Sequence, residues 1–336
     1  MDFKIDAHWL STSMPRGNPI ADPILNTCNR PSKSLNVDLN GLCYLCICEA
    51  WLPVVIGNIL DFKKLSDVWS NPTALRIQQD VADKKFTYCA VQHCGIREQS
   101  IIMNQYNLTV NIDESCNLAC PSCRKEPINH TSGDMFTLRQ QYVNHLVKLI
   151  QEFDEPVNVV MTGNGDPLAS LIMRPLILNW QPKANQSITL RTNGLLMKKL
   201  LPDSPVLPYI SHFEISIDAG SQEVYEQVRR PGKFSVLKDN LQWLSDNRPD
   251  GADVVLNLCV QRDNANDIIN FANLCQQYGF RGNITKLENW HTFDNFNEYD
   301  VIGNRQHPLH NQSLDQLRTV ATAKNVFINS YLKQLL

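Results

Sequence analysis

From about residue 105 the chain alternates short apolar runs with longer amphipathic segments. The runs are YNLTVNID (106–113), PVNVVMTG (156–163), SITLRTN (187–193), HFEISID (212–218), DVVLNLCV (253–260) and RGNITKLE (281–288). Each has the length and residue types of a strand. Between them, TLRQQYVNHLVKLIQEF (137–153), KFSVLKDNLQWLSDN (233–247) and DNANDIINFANLCQQYG (263–279) read as helices. Strands alternating with helices of this size predict parallel βα units. Six units predict an α/β fold: a partial (β/α)6 TIM-like barrel, or an open parallel sheet. In both, functional residues belong at the strand C-terminal ends. Polar clusters follow the strands there: DESCNLACPSC, GNGDP, TNG, DAGS and QRDN.

Residues 1–100 differ in texture, being irregular, rich in Pro and Asn, and carrying Cys28, Cys43, Cys46, Cys48, Cys89 and Cys94. Three regions are therefore expected: a small cysteine-rich hairpin-plus-helix domain (1–100), the barrel (101–290), and residues 291–336, an aromatic-rich loop with one helix over 313–336. A length of 336 residues can bury a substantial core. The net charge of −3 and the absence of a long basic run argue against a nucleic-acid partner. The N-terminal MDFKIDAHWLSTSM lacks the apolar stretch of a signal peptide, and AWLPVVIGNIL (50–60) is too short and too interrupted, by Pro53 and Gly57, to span a bilayer. No membrane contact and a cytoplasmic location are expected. In that reducing compartment, clustered cysteines point to metal or redox chemistry.

Three of the 11 cysteines, Cys116, Cys120 and Cys123, fall within CNLACPSC at spacing C-x3-C-x2-C, just past the first strand. Structural zinc takes four protein ligands, and iron–sulfur clusters usually take four thiolates. Three close thiols can hold three corners of a [4Fe–4S] cube and leave one iron open. A zinc site completed by a remote residue, or plain small buried side chains, are the alternatives that spacing leaves standing.

C-x3-C-x2-C after the first strand of a βα barrel resembles the signature of the radical S-adenosylmethionine (radical SAM) superfamily. Three further segments extend the resemblance over roughly residues 105–290. MTGNGDPL (161–168) resembles the family's GGEP segment, with the doublet split and Asp in place of Glu. TNG (192–194) and ISIDAGSQEVYEQVRRPGKFSVLKDNLQWL (215–244) also match in order. The resemblance implies cofactor contacts from Gly163, Asn164, Gly165, Asp166 and Asn193. It places Ser216 near the ribose or methionyl end and Arg230 on the carboxylate, with Asn257 and Gln261 as weaker candidates. Taken singly, Asp166-Pro167 and Asn193-Gly194 are ordinary turn pairs, and Arg229-Arg230 an ordinary solvated pair.

The N-terminal region resembles the SPASM/twitch auxiliary-cluster domain. Its landmarks are the G-x4-C spacing of Gly41 and Cys46, the GNIL of 57–60, Trp69 on a helix, and a closing cysteine pair. That resemblance implies Cys28, Cys46, Cys89 and Cys94 as ligands of one auxiliary [4Fe–4S] cluster, with Cys43 or Cys48 as substitutes. Here the domain precedes the barrel, whereas in relatives it usually follows. A zinc knuckle of Cys43, Cys46, Cys89 and Cys94 is the competing assignment. Cys259 and Cys275 read as packing residues, and Trp290 and His291, after the sixth strand, as possible cavity lining.

The implied activity is reductive cleavage of S-adenosylmethionine (SAM) to a 5′-deoxyadenosyl radical that abstracts hydrogen from a substrate. The implied partners are a flavodoxin- or ferredoxin-type electron donor and a peptide or small-molecule substrate. The rival from another class is a non-catalytic zinc or iron–sulfur protein with a structural or sensing role.

Overall fold

The alternating runs become strands of one sheet in the computed structural model, which describes residues 26–46, 51–91, 94, 96, 99–289 and 292–336. Cys48, Trp290 and His291 lie outside the described residues. The strands are β1 (Ser34–Val37), β2 (Cys43–Tyr44), β3 (Tyr106–Val110), β4 (Val157–Met161), β5 (Gln186–Thr192), β6 (Ile210–Ser216), β7 (Asp253–Val260), β8 (Arg281–Lys286) and β9 (Val326–Ile328). Their order is β2-β1-β3-β4-β5-β6-β7-β8-β9. All neighbours are parallel except the β1–β2 hairpin. Strands β3 to β8 are the six read from the sequence.

The side-chain period of two divides the sheet into unlike faces. Leu108, Val110, Val159, Met161, Ile188, Leu190, Phe213, Ile215, Leu256 and Ile284 are buried in one continuous core shared with the helices. Those helices include α1 (Pro72–Ala82), α2 (Asp134–Glu152), α3 (Gln222–Val228), α4 (Phe234–Asn247), α5 (Ile268–Tyr278) and α6 (His310–Val320). The intervening positions, such as Asn107, Asn158, Thr189, His212, Glu214, Asn257 and Asn283, face the other way. In a packed barrel the inner face carries large apolar residues. This inner face is polar, so it forms a trough suited to water and polar ligands.

The sheet crosses both expected region boundaries without a break. At the N-terminal side β1 pairs with β3. The β1–β2 turn is fixed by Asp38, whose Oδ1 accepts from Asn40 N at 2.9 Å and Leu42 N at 2.8 Å. Helix α1 starts where Asn71 caps Thr73 N at 2.9 Å and Pro72 occupies the first turn. Just before it, Trp69 donates from Nε1 to Ser34 O at 3.2 Å. Its ring lies 4.6 Å from that of Tyr106, which meets Phe153 edge-on at 5.1 Å. The cysteine-rich region is thus welded to the barrel by aromatic packing. A second, small cluster of Val81, Phe86 and Ile96 carries Cys28, Cys89 and Cys94 on its flank.

The C-terminal region departs from expectation. The single helix expected over 313–336 is instead α6, then β9, then a short helical turn, Ser330–Lys333. The β-branched segment Val326–Ile328 pairs in parallel with β8, whose edge would otherwise be open.

Candidate cofactor site and auxiliary cysteines

The loop after β3 is shaped before any ligand binds. Cys116 N donates to Ile128 O at 2.7 Å, which closes residues 116–128 into one lobe. Within it, Cys123 N and Arg124 N both donate to Cys120 O, at 2.8 and 2.9 Å, forming a tight turn. The three thiols differ in setting: Cys120 is buried, Cys116 half-buried and Cys123 exposed. All three line one cavity of about 660 Å³, within the range of nucleoside-sized ligand pockets. Burial pushes the Cys116 thiol up to about 11. Burial likewise raises Cys120, against the pull of Arg229.

The loop after β4 forms the second wall. A Cβ on Gly163 would lie 2.6 Å from Asp113 O, and one on Gly165 would overlap the carbonyls of Ser115 and Glu114. The split glycine doublet thus lets this loop press against the backbone that leads into the cysteines. Arg124 ties the same two loops, donating to Glu114 O at 2.6 Å and to the Asn164 carbonyl. Gly165→Ala is expected to displace the cysteine lobe and reduce iron retention severalfold at unchanged far-UV dichroism, measured as iron per chain after reconstitution.

Asp166 borders the cavity, and both of its carboxylate oxygens accept hydrogen bonds from the protein. Oδ1 accepts from Leu168 N (2.9 Å) and Ala169 N (3.2 Å), and Oδ2 from Thr192 Oγ1 (2.8 Å) and Asn193 N (2.6 Å). Asp166 is 3 % exposed, and these bonds clamp the TNG loop to the loop after β4. Burial pushes its pKa up, opposed by these four donors. The clamp positions Asn193, whose Nδ2 donates to Asn117 Oδ1 at 2.8 Å and lies 3.9 Å from Cys116 Sγ.

Strand β6 and the loops beyond it close the third side. Ser216 lines the cavity. Of the arginine pair, Arg229 lines it and Arg230 does not. The side chain of Arg230 is exposed, and its carbonyl accepts from Ala119 N of the cysteine lobe at 2.6 Å. Arg229 Nη1 lies 3.6 Å from Cys120 Sγ, and Nη2 pairs with Asp218 Oδ2 at 2.7 Å. Its Nε is buried without a partner. Asp218→Ala leaves that cation unpaired and is expected to cost about 3–5 kcal/mol, read from the denaturant midpoint. Asn257 does not line the cavity either; its Oδ1 accepts from Asn283 Nδ2 at 2.8 Å on the inner face. Gln261 is buried, with no partner for its amide.

Sequence reading missed Arg191, Thr292 and the charges below them. Arg191 borders the cavity and pairs through Nε with Glu214 Oε2 at 2.7 Å. Glu214 Oε1 faces His212 Nε2 at 3.5 Å, and His212 Nδ1 faces Asp253 Oδ2 at 2.9 Å. Arg281 Nε then donates to Asp253 Oδ1 at 2.7 Å. Burial raises the Glu214 carboxyl, yet His212 and Arg191 outweigh it and hold its pKa below the usual range. This alternating-charge chain crosses β5 to β8 down the trough. Its only sequence signal is polar residues at alternate positions of otherwise apolar strands.

The N-terminal cysteines gather separately. Burial raises the Cys89 thiol to about 12, and Cys46, Cys28 and Cys94 each add to that rise, so all three lie within electrostatic reach of Cys89. Cys43 stands apart, fully buried with Sγ 3.9 Å from Gly41 O, and its neighbouring charges are Asp38 and Asp61. Among the described residues, no three Cys, His, Asp or Glu side chains sit close enough to clasp a single metal ion.

The radical SAM superfamily profile matches residues 110–275, which span the cysteine lobe and every wall of the cavity except Thr292. The chain belongs to the radical SAM superfamily. An iron–sulfur cluster-binding domain of the SPASM type matches residues 28–95, so this radical SAM protein carries the SPASM region ahead of its core. A radical SAM core implies a [4Fe–4S] cluster and SAM, and the SPASM match implies further iron–sulfur binding. Among curated relatives, the AdoMet-dependent heme synthase of Oleidesulfovibrio alaskensis is 27% identical over 54% of this chain and 43% of its own. The mycofactocin maturase MftC of Mycobacterium ulcerans is 25% identical over 54% of this chain and 47% of its own. The probable GTP 3′,8-cyclase of Methanocaldococcus jannaschii is 24% identical over 54% and 65%. The alignments thus span less than two thirds of each relative. Among solved structures, SuiB of Streptococcus suis bound to S-adenosylmethionine superposes with a TM-score of 0.46 at 14% identity, covering 81% of this chain and 58% of that one.

Proposed function

We propose that this chain is a radical SAM enzyme in which Cys116, Cys120 and Cys123 hold the SAM-binding [4Fe–4S] cluster. The observation that carries the reading is the convergence of these three thiols with Asn193, Ser216 and Arg229 on one cavity. The fit is chemical as well as spatial. Arg229 sets a cation beside Cys120 Sγ, which favours a thiolate ligand, and its unpartnered Nε leaves donor capacity for a carboxylate. Backbone carbonyls of the glycine loop and the Asn193 amide suit an amino group and a ribose. When bound, the reduced cluster supplies the electron that cleaves the sulfonium bond of SAM, yielding methionine and a 5′-deoxyadenosyl radical. The chain's own work is to fix the lobe through the Cys116–Ile128 bridge, hold Asn193 in place through Asp166, and fence the cavity from bulk water.

Cys28, Cys46, Cys89 and Cys94 are proposed as ligands of an auxiliary [4Fe–4S] cluster. A zinc ion at about 2.3 Å from each sulfur draws its ligands within about 4 Å of one another. The match of residues 28–95 to an iron–sulfur cluster-binding domain supports the cluster over a mononuclear zinc ion. The proposed substrate is a peptide, the class suggested by the SPASM-type match to residues 28–95. The reaction is proposed to proceed without nucleic acid. No helix among the described residues is long and apolar enough to cross a membrane, and a cytoplasmic site of action is part of the proposal.

The test is anaerobic reconstitution with iron and sulfide, reduction with dithionite, and quantification of 5′-deoxyadenosine from added SAM. Formation of the nucleoside supports the reading. A colourless, zinc-loaded, iron-free protein from anaerobic purification would refute it.

A further inference from the structure

Besides Arg229, the cofactor cavity is bordered by Arg124 and Arg191. Arg124 is engaged by the protein itself, donating to the carbonyls of Glu114 and Asn164. Arg191 keeps donors in reserve. It lies on the inner face of β5, one pleat below Asn193, which touches the cysteine lobe. Its side chain is 49 % exposed, so the guanidinium remains open to an incoming group.

Glu214, the register partner of Arg191 on β6, takes one edge of that guanidinium. Nε meets Oε2 at 2.7 Å, and Nη2 donates to Oε1 at 3.3 Å. A guanidinium carries five N–H donors in a fixed planar fork. Two are used here. The end edge, one N–H from each Nη, has no partner among the described residues. Glu214 thus sets the plane of the fork before a ligand arrives, which leaves less freedom to lose on binding.

The other carboxylates at the cavity do not take up that edge. Asp166 is saturated by its four donors. Glu114 faces His130 at 3.3 Å and Arg139 at 3.8 Å. Arg229, the donor assigned above to the cofactor, is paired with Asp218 on a different loop. What remains at Arg191 is a preset fork with two parallel N–H groups, the arrangement that a carboxylate accepts from bidentately.

We propose that Arg191 is a specificity determinant that receives a carboxylate of the substrate on its end edge. The substrate is then a peptide bearing an acidic side chain or a free C-terminal carboxylate. The inference rests on the peptide reading of the substrate and names its chemistry. Binding is non-covalent: two N–H···O bonds form as water leaves both partners.

The probe is a pool of octapeptides, acetylated at the N-terminus and degenerate over uncharged residues, with one central position fixed as Glu, Gln or Lys. Each is made with a free and with an amidated C-terminus. The pool is equilibrated with the anaerobically reconstituted protein and SAM, and the peptides retained on ultrafiltration are counted by mass spectrometry. Iron per chain checks that each variant is folded. Wild type is expected to retain carboxylate-bearing peptides at least fivefold over amidated Gln peptides, and the fixed-Glu and free-end arms tell which source is read. Arg191→Gln should abolish the preference. Arg191→Lys should keep part of it, since an ammonium supplies the charge without the fork. Arg191→Glu should turn it toward the Lys peptides. Absence of an acidic preference in the wild type would overturn the proposal, as would a preference that survives Arg191→Gln. Acidic retention without 5′-deoxyadenosine from wild type under dithionite would uphold the carboxylate site and refute the enzyme reading. Nucleoside formation without acidic retention would do the reverse.

Discussion

Replacing Cys116, Cys120 and Cys123 together by Ala is expected to abolish 5′-deoxyadenosine formation, by at least a thousandfold against wild type under dithionite. The reason is ligand count. Three thiolates and an open iron leave no spare protein ligand at the site, and the described residues around the cavity offer no other cysteine. The neighbouring donors Asn193, Ser216 and Arg229 cannot replace thiolates on iron. Iron should fall by about four per chain while the iron held at the N-terminal cysteines remains. The complementary Cys28/Cys89/Cys94→Ala variant should lose the other share. Iron content and electron paramagnetic resonance of the two variants separate the sites. Equal iron in the triple variant and wild type would refute the assignment.

Asp166→Ala is expected to lower stability by about 4 kcal/mol, because four donors lose their acceptor inside the protein at about 1–3 kcal/mol for each left unsatisfied. Thr192 Oγ1 can turn to another acceptor, but the amides of Leu168, Ala169 and Asn193 cannot. Asp166→Asn should cost about half as much: one oxygen persists, while its NH2 meets the Asn193 N–H, a donor against a donor. Denaturant midpoints give the order wild type above Asn above Ala. SAM affinity should fall in the same order, since the clamp sets Asn193 beside Cys116. Unchanged stability with lost SAM affinity would instead restore Asp166 as a direct cofactor contact.

Much of the site was legible because its signals are local. A strand-period run followed by a polar cluster places functional residues at strand ends, and the cysteine spacing sits in one loop. Arg229 and Arg230 could not be told apart that way. Adjacent in sequence, they are separated by the turn after α3, which aims one at Asp218 and the other at solvent. The position of Asp166 matches that of a cofactor contact, yet two of its four partners, Thr192 at the end of β5 and Asn193 just after it, lie 26 and 27 residues away. The charge chain of Arg191, Glu214, His212, Asp253 and Arg281 depends on strand register, which no single run encodes.

The sequence by itself determined the six βα units, the triple-cysteine lobe and the cysteine-rich prelude, since periodicity and short-range spacing are written in neighbouring residues. Tertiary structure alone decided that the prelude and the C-terminal strand join the same sheet, that the inner face is a polar trough, and that Asp166 clamps the loop after β4 to the end of β5. Those outcomes depend on which distant edges pair and which side chains meet across the sheet, and such contacts are fixed only when the whole core closes.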